Sequence, residues 1–261
     1  VERRAPPTIA LALDLPALLL LALVGALIGA VGIGGFLVVP VLVFVQGRPL
    51  REAVIAAVVA FVGAGLVSLV VVPRQPHDVH RSLRSFLVAC VPGALAGALL
   101  LRVVDERVIG LLITAAVGLA GLAQLFGWPR MDAKSNDRRT RERKPLATTI
   151  EGVVTGLAST LTGTSGPLVA MPLLALSGMP IRERIRAGQV AQLPIALTAS
   201  VVLLSAGAIG WRVAITSAIA VAIGVLAGMR VTPRVAPDIL SRTAALLMLA
   251  TAAAMLVSTL R

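Results

Sequence analysis

The residues of this chain best suited to chemistry carry no charge. Ser159, Thr160, Thr162, Thr164 and Ser165 crowd one stretch around Gly163 and Gly166, and Gln189 and Gln192 follow. Hydroxyls and primary amides donate hydrogen bonds to an oxyanion without the desolvation cost of burying an ion. A glycine-rich break frees backbone N–H groups for the same purpose, and the next helix starts with about half a positive charge. A second glycine cluster, Gly29, Gly32, Gly34 and Gly35, lies far upstream and is followed by Pro40. The candidate anion-binding set is therefore Gly32, Gly34, Gly35, Thr160, Thr162, Gly163, Thr164, Ser165, Gly166, Gln189 and Gln192, with Ser165 as N-cap of the helix expected from about Leu168. The competing reading is structural. Ser and Thr bond their own helix backbone, and glutamines hold neighbouring helices together.

Other chemistry is sparse. No H-E-x-x-H, phosphate-loop, G-x-S-x-G or paired-carboxylate arrangement occurs, so neither an active site nor a cofactor is expected. The single cysteine, Cys90, excludes an internal disulfide and reads as packing near Pro92. Asp14 and Glu151 each precede a glycine cluster, where a carboxylate could couple a proton or simply reach the interface. His77 and His80 fall in a loop of mixed charge.

The elements that must position these residues are membrane helices. Hydrophobic residues make up 57% of the chain and charged residues 14%. Charge-free intervals run 15–47, 53–73, 85–101, 108–129, 152–181, 187–211, 213–229 and 243–260. Crossing the hydrocarbon takes roughly 20 apolar residues. The chain is an all-α polytopic membrane protein, and its first apolar stretch is too long and unbroken for a signal peptide. The net charge of +12 reflects loops that follow the positive-inside rule, and no nucleic-acid module is expected.

The chain also repeats itself. Gly25, Gly32, Gly35, Gly47, Pro49, Arg51 and Glu52 meet Gly156, Gly163, Gly166, Gly178, Pro180, Arg182 and Glu183 at one constant offset. Pro40 meets Pro172 after a one-residue slip, and Pro92 and Pro194 join them as candidate hinges. The repeats cover 1–127 and 148–261, joined by a basic cytoplasmic linker over 128–147. Each glycine element is too long for one crossing and too short for two, so it is either a kinked single span or a re-entrant hairpin. Under the hairpin reading, three transmembrane helices follow each element and the repeats are inverted. Internal-loop Lys and Arg then divide 16 inside (74–84, 130–144, 182–186, 230–242) against 5 outside. Single spans would divide them 11 to 10, so the charge bias favours hairpins.

At the duplicated "GIGGFLVVP" and "GTSGPLVAMP" the sequence resembles the TauE/SafE family of sulfite and organosulfonate exporters. The short G-x-P loops and the two-half layout extend the resemblance over essentially the whole chain. Thr164 and Ser165 stand where the family pattern has glycines. The resemblance implies a transporter of small sulfur-containing anions in the bacterial cytoplasmic (inner) membrane. The expected function is a secondary carrier of sulfite or an organosulfonate working by alternating access, driven by a coupling proton or the membrane potential. An anion channel on the same scaffold is the alternative, and an intramembrane enzyme or sensor subunit is a more distant one. The expected partners are a sulfur oxyanion and the lipid bilayer, and a homo-oligomer stays open.

Overall fold

Apolar runs with a proline in the first turn form α1, Leu15–Val31, which stops at Gly32. Gly32 takes a left-handed backbone (φ 78°), and its N–H donates to the Ile28 carbonyl at 2.8 Å. Glycine enters that region without a Cβ penalty, so the residue type itself ends the helix. The structure, a computed structural model, describes residues 14–32, 34–71, 80–126, 145–164, 166–176, 179, 181–207, 211–231 and 237–260. A second short helix, α2, Gly35–Val45, resumes after the break. It opens as a 3-10 turn over Gly35–Leu37 and widens to a π-helical stretch over Val41–Val45. Pro40 sits at that transition, where a missing N–H breaks the regular ladder.

The path of the chain settles what this element is. Gln46, just past α2, donates from Nε2 to Asp14 Oδ2 at 3.3 Å, and Asp14 directly precedes α1. A continuous helix would separate these residues by roughly 48 Å at 1.5 Å per residue. The first glycine element doubles back as a helical hairpin.

The second copy is built alike. Helix α6, Pro145–Thr162, ends at Gly163 (φ 58°), and α7, Gly166–Leu176, follows and packs against it. Thr164 N–H bonds the Ser159 carbonyl at 3.2 Å, and Gly163 N–H bonds that of Thr160 at 3.4 Å. This is the two-bond Schellman stop. Both breaks are shorter than the sequence predicts. Gly35 already opens the short helix after the first break, and Gly166 belongs to α7, ahead of the start expected near Leu168.

The remaining helices are α3 (Leu50–Val71), α4 (His80–Val103), α5 (Glu106–Leu125), α8 (Ile181–Ser205), α9 (Trp211–Val231) and α10 (Pro237–Leu260). Among the described residues these are the 6 helices long and apolar enough to cross a membrane, three after each hairpin. Helix α3 is the most enclosed of them, whereas α5 and α10 present much of their surface outward. Exposed Leu111, Leu119, Leu246 and Val257 on those two helices suit contact with lipid. Among the described residues no strand occurs.

The halves are joined crosswise. Helix α1 packs on α9 and α6 packs on α4, while α3 pairs with α8 and α5 with α10. Exchanging the halves leaves this pattern unchanged. The register of the close contacts is preserved as well. A Cβ on Gly25 would strike the Val221 carbonyl, and one on Gly156 the Cys90 carbonyl. Likewise Gly224 and Gly228 lie on the carbonyls of Ala22 and Ala26, and Gly93 and Gly97 on those of Val153 and Leu157. Each pair repeats the other at the 131-residue offset that relates Gly32 to Gly163. Small residues let two backbones approach this closely in lipid.

At one end of the bundle Arg51 fixes the chain. Its Nη1 and Nη2 donate to the Arg102 and Val104 carbonyls, both at 2.6 Å, so α3 begins where α4 ends. This supplies a cationic partner for carbonyls that α4 leaves open at its C-terminus.

Candidate functional site

The two hairpin tips converge beside α3 and α8. A Cβ on Gly163 would sit 2.9 Å from Val39 Cγ2 of α2 and 3.1 Å from Val54 Cα of α3, so the second tip rests on the first hairpin's short arm. A Cβ on Gly32 would lie 3.5 Å from Gln189 Nε2, which places the first tip against α8. One on Gly166 would lie 3.0 Å from the Gly188 carbonyl and 3.5 Å from Gln192 Cγ. Gln189 and Gln192 thus serve different tips from one helix.

A small cavity of about 10 Å³ opens at the second tip. Its wall includes Ser159, Thr164, Gly166 and Gln192, closed on the far side by Val58 and Phe61 of α3. This is room for about one water. Phe61 is the repeat counterpart of Gln192, so equivalent positions of the two halves face one cavity with opposite chemistry.

Counting hydrogen-bond donors separates the hydroxyls. Thr162 Oγ1 donates to the Ala158 carbonyl at 2.7 Å and lies 2.7 Å from Thr164 Oγ1. A hydroxyl has one proton, so Thr164 donates in the second contact and both protons are committed to the turn. Ser159 Oγ and both amide atoms of Gln192 are buried with no hydrogen-bond partner among the described residues. Gln192 is only 1% exposed. An unpaired buried amide is costly, and such a group requires an explanation. Thr160 is also buried and unpartnered, yet its Cβ lies 2.9 Å from where a Cβ on Gly97 would sit, so it belongs to the α4–α6 seam.

The structure therefore brings together Gly163, Thr164, Gly166 and Gln192 of the sequence-derived set, and adds Ser159, Val58 and Phe61. Gln189 and Gly32 meet at the other tip, where Gly34 and Gly35 are buried. Ser165 lies outside the described residues, as do His77 and most of the linker. The prolines Pro92, Pro172 and Pro194 lie inside α4, α7 and α8. Cys90 is fully buried, as expected for packing. Among the described residues no group of three or more metal-ligating side chains occurs.

One residue escapes sequence reasoning altogether. Arg184 is 2% exposed within α8, although its neighbours in the chain mark it as loop charge. Only its helical position, two residues past Arg182 of the repeated G-x-P-x-R-E motif, signals that the helix has begun.

Compared with known protein families, the chain matches the family described as sulfite exporter TauE/SafE over residues 17–255. No curated protein and no solved structure matches it.

Proposed function

The chain belongs to the TauE/SafE sulfite exporter family, and from that premise we propose that it carries sulfite or a small organosulfonate by alternating access between two inverted halves. It is a multi-pass inner-membrane protein of a transporter family, and three crossings after each hairpin would place the halves in opposite orientation. The observation that carries the reading is the buried pair Ser159 and Gln192, unpartnered at the tip of a broken helix. A sulfur oxyanion offers acceptors to both, and α7's N-terminus adds backbone N–H groups and a favourable dipole. Transporters built from repeats commonly place their cargo at such half-helix ends.

The conformation described is closed around this point. A cavity of about 10 Å³ cannot admit a sulfur oxyanion, so cargo entry requires α7 to separate from α8. Pro172 and Pro194 interrupt the backbone ladders of those two helices and are the proposed hinges. The crosswise glycine seams move as units, each tying one hairpin's long arm to the other half. A proton or the membrane potential supplies the drive.

The test is flux of labelled sulfite into proteoliposomes holding the purified protein. Saturable flux that responds to an imposed proton gradient or potential supports a carrier. Non-saturable flux would indicate the channel reading, and none of the sulfur oxyanions moving would remove the proposal.

A further inference from the structure

A second and larger cavity runs along α7 from beside the second tip. It measures about 410 Å³, within the roughly 300–1,000 Å³ range of pockets that hold small ligands. Its wall is almost wholly apolar, with Ala116, Ala120 and Ala123 of α5 facing Leu168 and Pro172 of α7 and Met248 of α10. Two polar side chains also line it, Gln124 near the C-terminus of α5 and Arg184 near the N-terminus of α8. Both belong to the end of the bundle where α5 runs into the linker. An apolar trough with a cationic mouth has no use for a small hydrated anion. It fits an acyl chain whose anionic head stays at the membrane surface.

We propose that this groove is a binding site for an anionic phospholipid, one acyl chain lying along α5 and α7 and the headgroup phosphate at Arg184. Three observations support it. The guanidinium has five donors, so it can share a phosphate with its protein partners. The face is cationic, since Arg186 lies in the first turns of α8 and Arg230 in the last turn of α9. Basic pockets between membrane helices are known to hold such headgroups. Finally, the polar pair, Gln124 from the first half and Arg184 from the second, is not repeated at the equivalent positions. The repeat counterparts of Arg184 and Gln124 are Ala53 and Met255, both fully buried in the core. The groove was therefore not simply inherited with the duplication.

The occupant touches α7, the short arm whose movement the carrier cycle requires, but the site itself does not depend on the cargo's identity. The test uses the full-length protein in detergent, with retained lipid read by native mass spectrometry after exposure to phosphatidylglycerol or phosphatidylcholine. Phosphatidylglycerol should be retained as a single molecule, about fivefold more strongly than phosphatidylcholine, the margin one cationic side chain gives. Arg184→Gln should erase that preference, and Ala123→Phe, which fills the trough while leaving the arginine, should remove retention of both lipids. Free glycerol phosphate should fail to compete, since the chain and not the head alone is bound. Equal retention of the two lipids by the native protein would overturn the proposal. So would undiminished phosphatidylglycerol retention in Ala123→Phe, which also decides the matter if Arg184→Gln does not fold.

Discussion

The two hairpin tips share a backbone and differ in chemistry. Each turns at a left-handed glycine, Gly32 in one and Gly163 in the other, and each hands over to a helix of similar length. Around the first tip the sequence supplies Ile28, Val31 and Gly34, whereas the second supplies Ser159, Thr162 and Ser165 at the equivalent places. On the helices beside them, α8 carries Gln189 and Gln192 where α3 has Val58 and Phe61 at the repeat offset. The two copies share the break as architecture, and only the second carries the hydrogen-bonding groups in its turn. A shared geometry with one-sided polarity is what a single off-axis cargo site needs.

The strongest way to break this comparison is to attack what the halves have in common. Gly224→Leu and Gly93→Leu occupy equivalent positions in the two crosswise seams, and each drives a side chain into a backbone carbonyl. Overpacking costs typically about 1–3 kcal/mol and more where backbone must move. Both variants should lose most folded protein, by similar amounts, in a detergent thermal-stability assay. A large loss in one and none in the other would deny the equivalence of the seams.

A smaller effect distinguishes the tips themselves. Gly163→Ala meets both a left-handed backbone and the crowding of Val39 and Val54, while Gly32→Ala meets the backbone cost alone. That cost is roughly 1–2 kcal/mol. Gly47→Ala, left-handed at 62° with nothing within 4 Å, serves as the control and should match Gly32→Ala. Melting temperatures should therefore fall furthest for Gly163→Ala. Equal losses at all three glycines would mean that the tips do not press together.

The smallest effect separates neighbouring hydroxyls. Ser159→Ala removes an uncommitted donor at the cavity and should weaken sulfite binding about tenfold. Thr162→Ala removes a donor already given to Ala158, and should lower stability slightly while sparing affinity. Binding measured on both variants checks this, and the reverse order would transfer the site to the turn's own threonines.

Much of this organisation was legible in the residues because glycine and proline act locally. The break at Gly32, the stop at Gly163 and the repeat itself follow from backbone preferences that any background reveals. The hairpin was legible in the charge bias of the loops, whereas its closing contact, Asp14 meeting Gln46 across the fold, was not. The crosswise seams were half visible. Gly93 and Gly97 match Gly224 and Gly228 at the repeat offset, but small residues in an apolar chain do not name the helix they touch. Thr162 and Ser159 looked alike in sequence and are separated only by where Thr162's single proton goes. Arg184 was hidden by its neighbours, whose charge marked a loop where a buried helix had begun.

The central claim is that the uncharged groups at the second tip bind the cargo, and Gln192 tests it most directly. Equilibrium binding of sulfite to the purified protein should be compared between the native chain and Gln192→Leu, which keeps the bulk and removes both polar atoms. Losing one hydrogen bond to a charged ligand costs about 1.5–3 kcal/mol, so the dissociation constant should rise roughly ten- to hundredfold with the fold intact. An unchanged dissociation constant in a well-folded Gln192→Leu protein would contradict the account.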